Sequence, residues 1–202
     1  MPDTAKTICE KAMKKNRHYV ELSAGWPSTS TTFEDQTCST FYDEARRSTL
    51  RMAAWTCCLK REELTGYEDA NNLTGKNYAF SLPSNYIRKV GVEDGYGNPV
   101  DFLIEGKTGY SDNETVVLVY VFDQTDPSKW DDLLKEAIIL MMAMLIAYPL
   151  TASHENEEGF IGQATAIAEQ AEDESRRERR TPNPNTKSRE WHSGLFSNRR
   201  GG

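Results

Sequence analysis

The sequence lacks a long uninterrupted apolar stretch. The longest such run covers residues 137–150, and Pro149 interrupts it near its end. A helix that crosses a membrane needs about 20 apolar residues, so this run predicts a buried core helix and no membrane segment. The first residues, MPDTAKTICEKAMKKNR, also lack the apolar core of a signal peptide. We therefore expect a protein that is made and used without export across a membrane.

Cysteine and histidine are scarce, and their spacing fits no common metal motif. The four cysteines are Cys9, Cys38, Cys57 and Cys58, and the three histidines are His18, His154 and His192. The cysteine spacing matches no zinc or redox motif, and no H-E-x-x-H motif is present. We predict no metal site and no cofactor, and we expect the cysteines to be buried, reduced thiols.

Motifs of catalysis are lacking as well. No G-x-S-x-G nucleophile motif is present. Gly75-Lys76 is followed by Asn77 instead of Ser or Thr, and then by a predicted strand, so it does not form a phosphate loop. Of the clustered carboxylates, Asp126 is interpreted as a helix cap, and Asp123, Asp131 and Asp132 are interpreted as solvated side chains. We predict no catalytic residue and no enzymatic activity; a small carbohydrate-acting enzyme that uses a pair of carboxylates stays an alternative.

Basic residues are concentrated at the end of the chain. Residues 176–202 contain eight Arg or Lys against two Glu, a net charge of +6, whereas the whole chain carries −7. The preceding residues therefore carry −13. This asymmetry indicates an acidic body with a basic arm. Phosphate groups attract Lys and Arg, so a DNA-binding module that uses this arm is a second alternative.

The apolar periodicity predicts an α+β fold. Helices are predicted over residues 3–22, 33–60, 127–148 and 153–180. Thr31 and Glu34 have the spacing of a capping box for the second helix. Asp126 and Pro127 begin the third helix, and Pro149 ends it. Alternating apolar residues between turn residues predict strands over residues 78–82, 86–92, 100–105 and 115–122.

These elements define the predicted domain organisation. Residues 1–64 and 126–180 are predicted to form an α-helical bundle of four main helices. Residues 76–123 form an inserted small antiparallel β-domain of four to six strands, and residues 181–202 form an extended C-terminal tail. The third helix is apolar on almost every side, and a small domain rarely covers all sides of one helix. We therefore predict that a neighbouring subunit contacts it through Leu133, Leu134, Ile138, Met141, Met144 and Leu145.

Three sequence blocks follow one another in a specific order. Residues 41–65 contain the pattern Y-x-x-A-R-x-x-x-L, then a Trp, then R-x-x-L, formed by Tyr42, Ala45, Arg46, Leu50, Trp55, Arg61 and Leu64. Residues 78–92, YAFSLPSNYIRKVGV, and residues 117–151, a strand, an Asp-Pro loop and a long apolar helix, follow. Together the blocks resemble the head-to-tail adaptor (tail tubular protein A) family of short-tailed, podovirus-type bacteriophages.

This resemblance implies a structural virion protein that is made in the host cytoplasm and located in the tail. Proteins of this family form a ring, commonly a dodecamer, under the portal protein of the capsid. The ring joins the portal to the tail nozzle protein and to the tail fibre or tailspike protein. Double-stranded DNA passes through it during genome ejection, and an acidic wall suits this passage because like charges repel.

The resemblance also implies that the C-terminal segment reaches toward the portal. Arginine side chains there can form bidentate pairs with carboxylates of a partner, and Trp, Leu and Phe side chains can act as apolar anchors. The candidate portal-binding residues are Arg176, Arg177, Arg179, Arg180, Arg189, Trp191, Leu195 and Phe196.

Overall fold

The computed structural model describes residues 4–69, 73–154 and 156–179, with Arg179 described by its backbone alone. The described residues form four α-helices: α1 (Ala5–Lys15), α2 (Phe33–Met52), α3 (Asp132–Thr151) and α4 (Glu157–Arg179). Six strands lie between α2 and α3: β1 (Leu59–Thr65), β2 (Tyr78–Ser81), β3 (Tyr86–Glu93), β4 (Leu103–Glu105), β5 (Thr108–Ser111) and β6 (Thr115–Phe122). The predicted α+β class is confirmed.

Helix α1 is shorter than its sequence predicts. It begins after Thr4, whose hydroxyl accepts a hydrogen bond from the amide of Thr7, and its apolar face is fully buried. It ends at Lys15 instead of near residue 22, because Arg17 adopts a left-handed φ of 59° that a helix cannot continue through. The residues that follow α1 run along the start of α2, where the amide of Ser23 donates to the carboxylate of Asp35.

The capping box of α2 lies one residue later than the sequence pattern indicates. The hydroxyl of Thr32 accepts from the amide of Asp35 at 3.1 Å, and the Asp35 carboxylate accepts from the amide of Thr32 at 3.1 Å. The same carboxylate also accepts from the hydroxyl and amide of Ser23 and from the amide of Thr31. These bonds, with the Ser23 hydroxyl first, hold the pKa of Asp35 well below its usual value.

This depressed pKa makes stability depend on pH. A carboxylate whose pKa is lowered by folding stabilises the folded state above its unfolded pKa of about 4, and that contribution disappears as the pH falls toward the folded value. We expect Asp35→Asn to be less stable than the wild type at pH 7, and to lose less further stability between pH 5 and pH 2. Urea unfolding midpoints at each pH measure this. The exposed carboxylate variant Asp173→Asn should follow the wild type, and parallel curves for Asp35→Asn and wild type would contradict the assignment.

The predicted second helix is too long, and its last residues form a strand. Helix α2 ends at Met52 because Ala53 is extended, with φ of −141° and ψ of 168°. A short 3-10 helix, Thr56–Cys58, then leads into β1, which pairs with β6 from Leu59↔Val121 to Thr65↔Thr115. The predicted bundle segment 1–64 therefore ends earlier, and residues 59–64 belong to a sheet.

The six strands form two three-stranded antiparallel sheets, ordered β1–β6–β3 and β2–β5–β4. The strand count falls within the predicted four to six. Strand β5 was not predicted from the sequence, because Gly106 and Gly109 favour a turn at these positions. Gly109 is a close-approach position, because a Cβ atom on it would lie 2.1 Å from the ring of Phe102. A separate apolar core sits between the sheets, formed by Phe80, Val92, Phe102, Val116, Leu118 and Tyr120.

Helix α3 starts and ends later than predicted. Asp126 and Pro127 begin a separate 3-10 helix, Pro127–Lys129, and Asp131 caps α3 by accepting from the amide of Leu134 at 2.7 Å. Pro149 does not end the helix; it lies in the last turn, where the missing amide removes only one hydrogen bond. The helix ends at the left-handed residue Ala152. Helix α4 begins at Glu157 instead of near residue 153.

The main core surrounds α3, which packs against α1, α2 and α4. By length and composition, α3 is also apolar enough to cross a membrane, but more than half of its most apolar stretch is buried inside the chain. This burial is typical of the central helix of a helical bundle.

Candidate functional site

Half of the predicted subunit interface is buried within a single chain. Leu134, Ile138 and Met141 face the other three helices and are inaccessible to a second subunit. This corrects the prediction for these three residues: one domain does cover most of the apolar helix, because α1, α2 and α4 pack around it. Leu133 and Met144 are only half-buried, as is Leu145.

The accessible apolar surface of α3 lies on one face of its C-terminal half. Met144 and Leu145 precede Tyr148 by four and three residues, so both side chains share a face of the helix with Tyr148. Tyr148 is 54% exposed. Its ring stacks on that of His154, with centroids 4.4 Å apart and an interplanar angle of 14°. We call these three residues of the helix the α3 stripe.

A buried ion pair joins the helical bundle to the β-sheet. The guanidinium of Arg46 on α2 lies 3.3 Å from Oδ1 of Asp123, the residue after β6. It also lies 3.2 Å from the carboxylate of Asp43. The side chain of Arg46 is 6% exposed, that of Asp123 is 19% exposed and that of Asp43 is 76% exposed, so Asp123 is the more buried of its two partners. Arg47 approaches the other oxygen of Asp123 at 3.8 Å.

The other residues of the first sequence block build the same junction. Ala45 and Leu50 are buried in the bundle core. Trp55 is buried too, and its indole NH donates to the carbonyl oxygen of Thr49 at 2.9 Å. Leu64 packs against the core between the sheets. The role of these residues is therefore structural: they pack the cores of the bundle and of the sheets that it adjoins.

The roles predicted for Asp126, a helix cap, and for Asp132, a solvated side chain, are confirmed, whereas the predicted solvation of Asp123 and Asp131 is wrong. Asp126 caps the 3-10 helix and Asp131 caps α3. Asp123 pairs with Arg46, and Asp132 is solvated. In the ranges that the structure describes, His, Cys, Asp and Glu side chains form no group able to hold a metal ion.

The predicted portal-binding residues lie at and beyond the end of α4. Arg176 is exposed and pairs with Glu172 at 3.8 Å and with Asp173 at 4.0 Å. Arg177 is also exposed, and Arg179 is the last residue of the helix. The remaining residues of that prediction lie outside the described part of the chain: Arg180, Arg189, Trp191, Leu195 and Phe196.

A groove of about 410 Å³ lies beside the last turns of α4, and we call it the α4 groove. Its lining includes the apolar groups of Leu133, Ala171 and Cys57. Four carboxylates also line it: Asp131, Asp132, Glu174 and Glu178. Sequence reasoning missed this groove, because only the fold brings the 3-10 helix, the start of α3 and the end of α4 together.

All four cysteines are free thiols in the structure. Cys57 and Cys58 are adjacent, with sulfur atoms 3.6 Å apart, and only Cys57 is more than slightly accessible. The hydrogen bond with Cys57 and burial raise the pKa of Cys58. A hydrogen bond with Cys38 and burial raise the pKa of Cys9 in the same way. Because the thiolate is the reactive form, a raised pKa makes the buried thiols of Cys9 and Cys58 less reactive.

No protein-family model matches this sequence, and no curated protein matches it either. The likeness to head-to-tail adaptors therefore rests on the three sequence blocks alone.

Proposed function

We propose that this chain is a structural virion protein, the head-to-tail adaptor of a short-tailed bacteriophage. The proposal rests on one observation: the three sequence blocks that resemble the adaptor family lie next to one another in the fold. Their strands β1, β6 and β3 are neighbours in one sheet, and their helices α2 and α3 pack together. The pair between Arg46 and Asp123 links the first block to the third. The resemblance thus covers one contiguous unit instead of scattered positions.

The proposal gives each part of the molecule a role. The helical bundle makes the contacts of a ring, commonly of twelve copies, under the portal. The β-unit is available to the nozzle and fibre proteins. The acidic body lines the path of double-stranded DNA, which like charge keeps from adhering. Arg176, Arg177 and the residues that follow α4 reach the portal, and the protein acts without a cofactor or catalytic step.

The α3 stripe is the proposed subunit contact. Exposed aromatic and aliphatic side chains on a rigid helix are typical interface anchors. Tyr148 is the most accessible member of the stripe, and its stacking on His154 holds the ring in place. Leu133, Met144 and Leu145 supply accessible apolar surface on the same helix.

A charge on the stripe tests this assembly. We expect Tyr148→Glu to prevent ring formation on the portal of the same virus, with binding weaker by about 100-fold, because an unpaired charge buried in an interface costs several kcal/mol. Electron microscopy and sedimentation of the adaptor mixed with portal rings measure this. The matched control is Tyr96→Glu, since Tyr96 is 94% exposed and lies in the turn after β3. Normal rings from a folded Tyr148→Glu protein would refute the proposed contact.

A further inference from the structure

We propose that the α4 groove is a docking site for residues 180–202 of the same chain. The occupant is thus a basic segment that carries an aromatic anchor, and the partner surface is the groove beside the helix from which this segment leaves. The inference describes the free chain, before the segment meets the portal, and it does not depend on the adaptor function because it concerns contacts within one chain.

The groove combines an apolar surface with four carboxylates that few cations of the described residues approach. Neutral donors hold several of its carboxylates: Glu178 accepts from the hydroxyl of Thr56 at 3.1 Å, and Glu174 accepts from the side-chain amide of Gln170 at 3.0 Å. Asp131 accepts from a backbone amide. Of the described residues that line the groove, none is a lysine or arginine. Among the described residues, Lys135 approaches the rim and lies 3.5 Å from Asp132.

The chemistry of residues 180–202 complements this groove. The segment carries five basic residues and one acidic residue, a net charge of +4. Arg189 and Trp191 are two positions apart and can place a guanidinium on the carboxylate rim and an indole on the apolar surface. The negative charge of the groove's four carboxylates is therefore similar in magnitude to the positive charge of the segment.

The position of the groove favours the segment of the same chain over that of a second copy. Glu178 lines the groove and is only two residues before the segment begins. Extended chain spans about 3.3 Å per residue, so the 12 residues from Arg179 to Trp191 can span about 40 Å. The sequence TPNPN at residues 181–185 is rich in turn-forming residues. A short tether gives an effective concentration in the millimolar range, which a second copy does not reach in dilute solution.

Cys57 is a natural reporter of occupancy. It lines the groove and is partly accessible, whereas Cys9, Cys38 and Cys58 are buried. We propose to label the native, reduced full-length chain with a small maleimide and with a bulky one, and to locate the label by peptide mass spectrometry. The ratio of the bulky rate to the small rate at Cys57 reports steric access and cancels changes in the thiolate fraction.

We expect this ratio to rise about fivefold when the segment cannot dock, given millimolar effective concentration and a weak contact. Full-length Lys187→Glu/Arg189→Glu and Trp191→Ala should both raise it, and 0.5 M salt should raise it in the wild type. Glu174→Gln should also raise the ratio, because it removes a carboxylate of the groove. The matched variant Glu169→Gln should leave the ratio unchanged, because Glu169 is an exposed residue of α4 outside the groove. Deleting residues 182–202 should give the largest ratio.

Two results would overturn the inference. An equal ratio in the wild type, in Lys187→Glu/Arg189→Glu and in the deletion variant would show that the segment does not cover Cys57. A ratio in the wild type that rises on dilution would show that the occupant belongs to a second copy. Because the other variants are full-length, and Glu174 is an exposed position of α4, a folding failure of the deletion variant alone leaves the test intact.

Discussion

Ile138→Lys is expected to lower the free energy of unfolding by about 4 kcal/mol or more, a large fraction of the roughly 5–15 kcal/mol that stabilises a typical domain. Ile138 is fully buried in the middle of α3, where a lysine ammonium has no carboxylate partner to compensate the loss of water. Leu145→Lys should cost much less, since Leu145 is half-buried and a lysine there can extend its charge into solvent. Urea unfolding followed by circular dichroism measures both variants. If the two variants were equally stable, α3 would not be buried within its own chain.

Arg46→Met is expected to lower the free energy of unfolding by about 3 kcal/mol, because it leaves Asp123 without its buried guanidinium partner. The matched control is Asp43→Asn, which removes the exposed partner of the same arginine and should change stability by less than about 1 kcal/mol. The double variant Arg46→Met/Asp123→Leu should recover part of the loss, since no uncompensated charge then stays buried. Linear extrapolation of urea unfolding gives each value. Equal losses for Arg46→Met and Asp43→Asn would contradict the assignment of Asp123 as the buried partner.

The order of helices and strands could be predicted because local patterns carry it. Alternating apolar residues placed β2, β3 and β6 within one or two residues, and the apolar run placed α3. Helix boundaries were less accurate. Asp35 replaces Glu34 in the capping box, because the loop before α2 brings Ser23 onto the carboxylate of Asp35, and that contact is 12 residues distant in sequence.

Strand β1 could not be predicted from its own residues. Its sequence, LKREELT, is charged and resembles the end of a helix. It is a strand because β6 offers a complete ladder to it from Leu59 to Thr65, and as an edge strand it carries its charges toward solvent. Tertiary pairing thus overrides local propensity here.

The candidate sites depend still more on contacts distant in sequence. Leu134 and Met144 are equally apolar residues of one helix, yet one is buried by the same chain and the other is partly accessible. Only the positions of the other three helices distinguish them. The α4 groove likewise joins residues 56 and 178, for which no sequence pattern exists.

Strand β6 has a mechanical consequence. Tyr120 and Leu118 belong to the core between the two sheets, and Val121 belongs to the core of the helical bundle. The strand is also hydrogen-bonded on both edges, to β1 and to β3. A force that pulls the β2–β5–β4 sheet away from the helical bundle therefore acts on β6 through a hydrophobic core on each of its two faces. Strand β6 thus couples the two cores mechanically, and its ladders with β1 and β3 hold it in place under such a load.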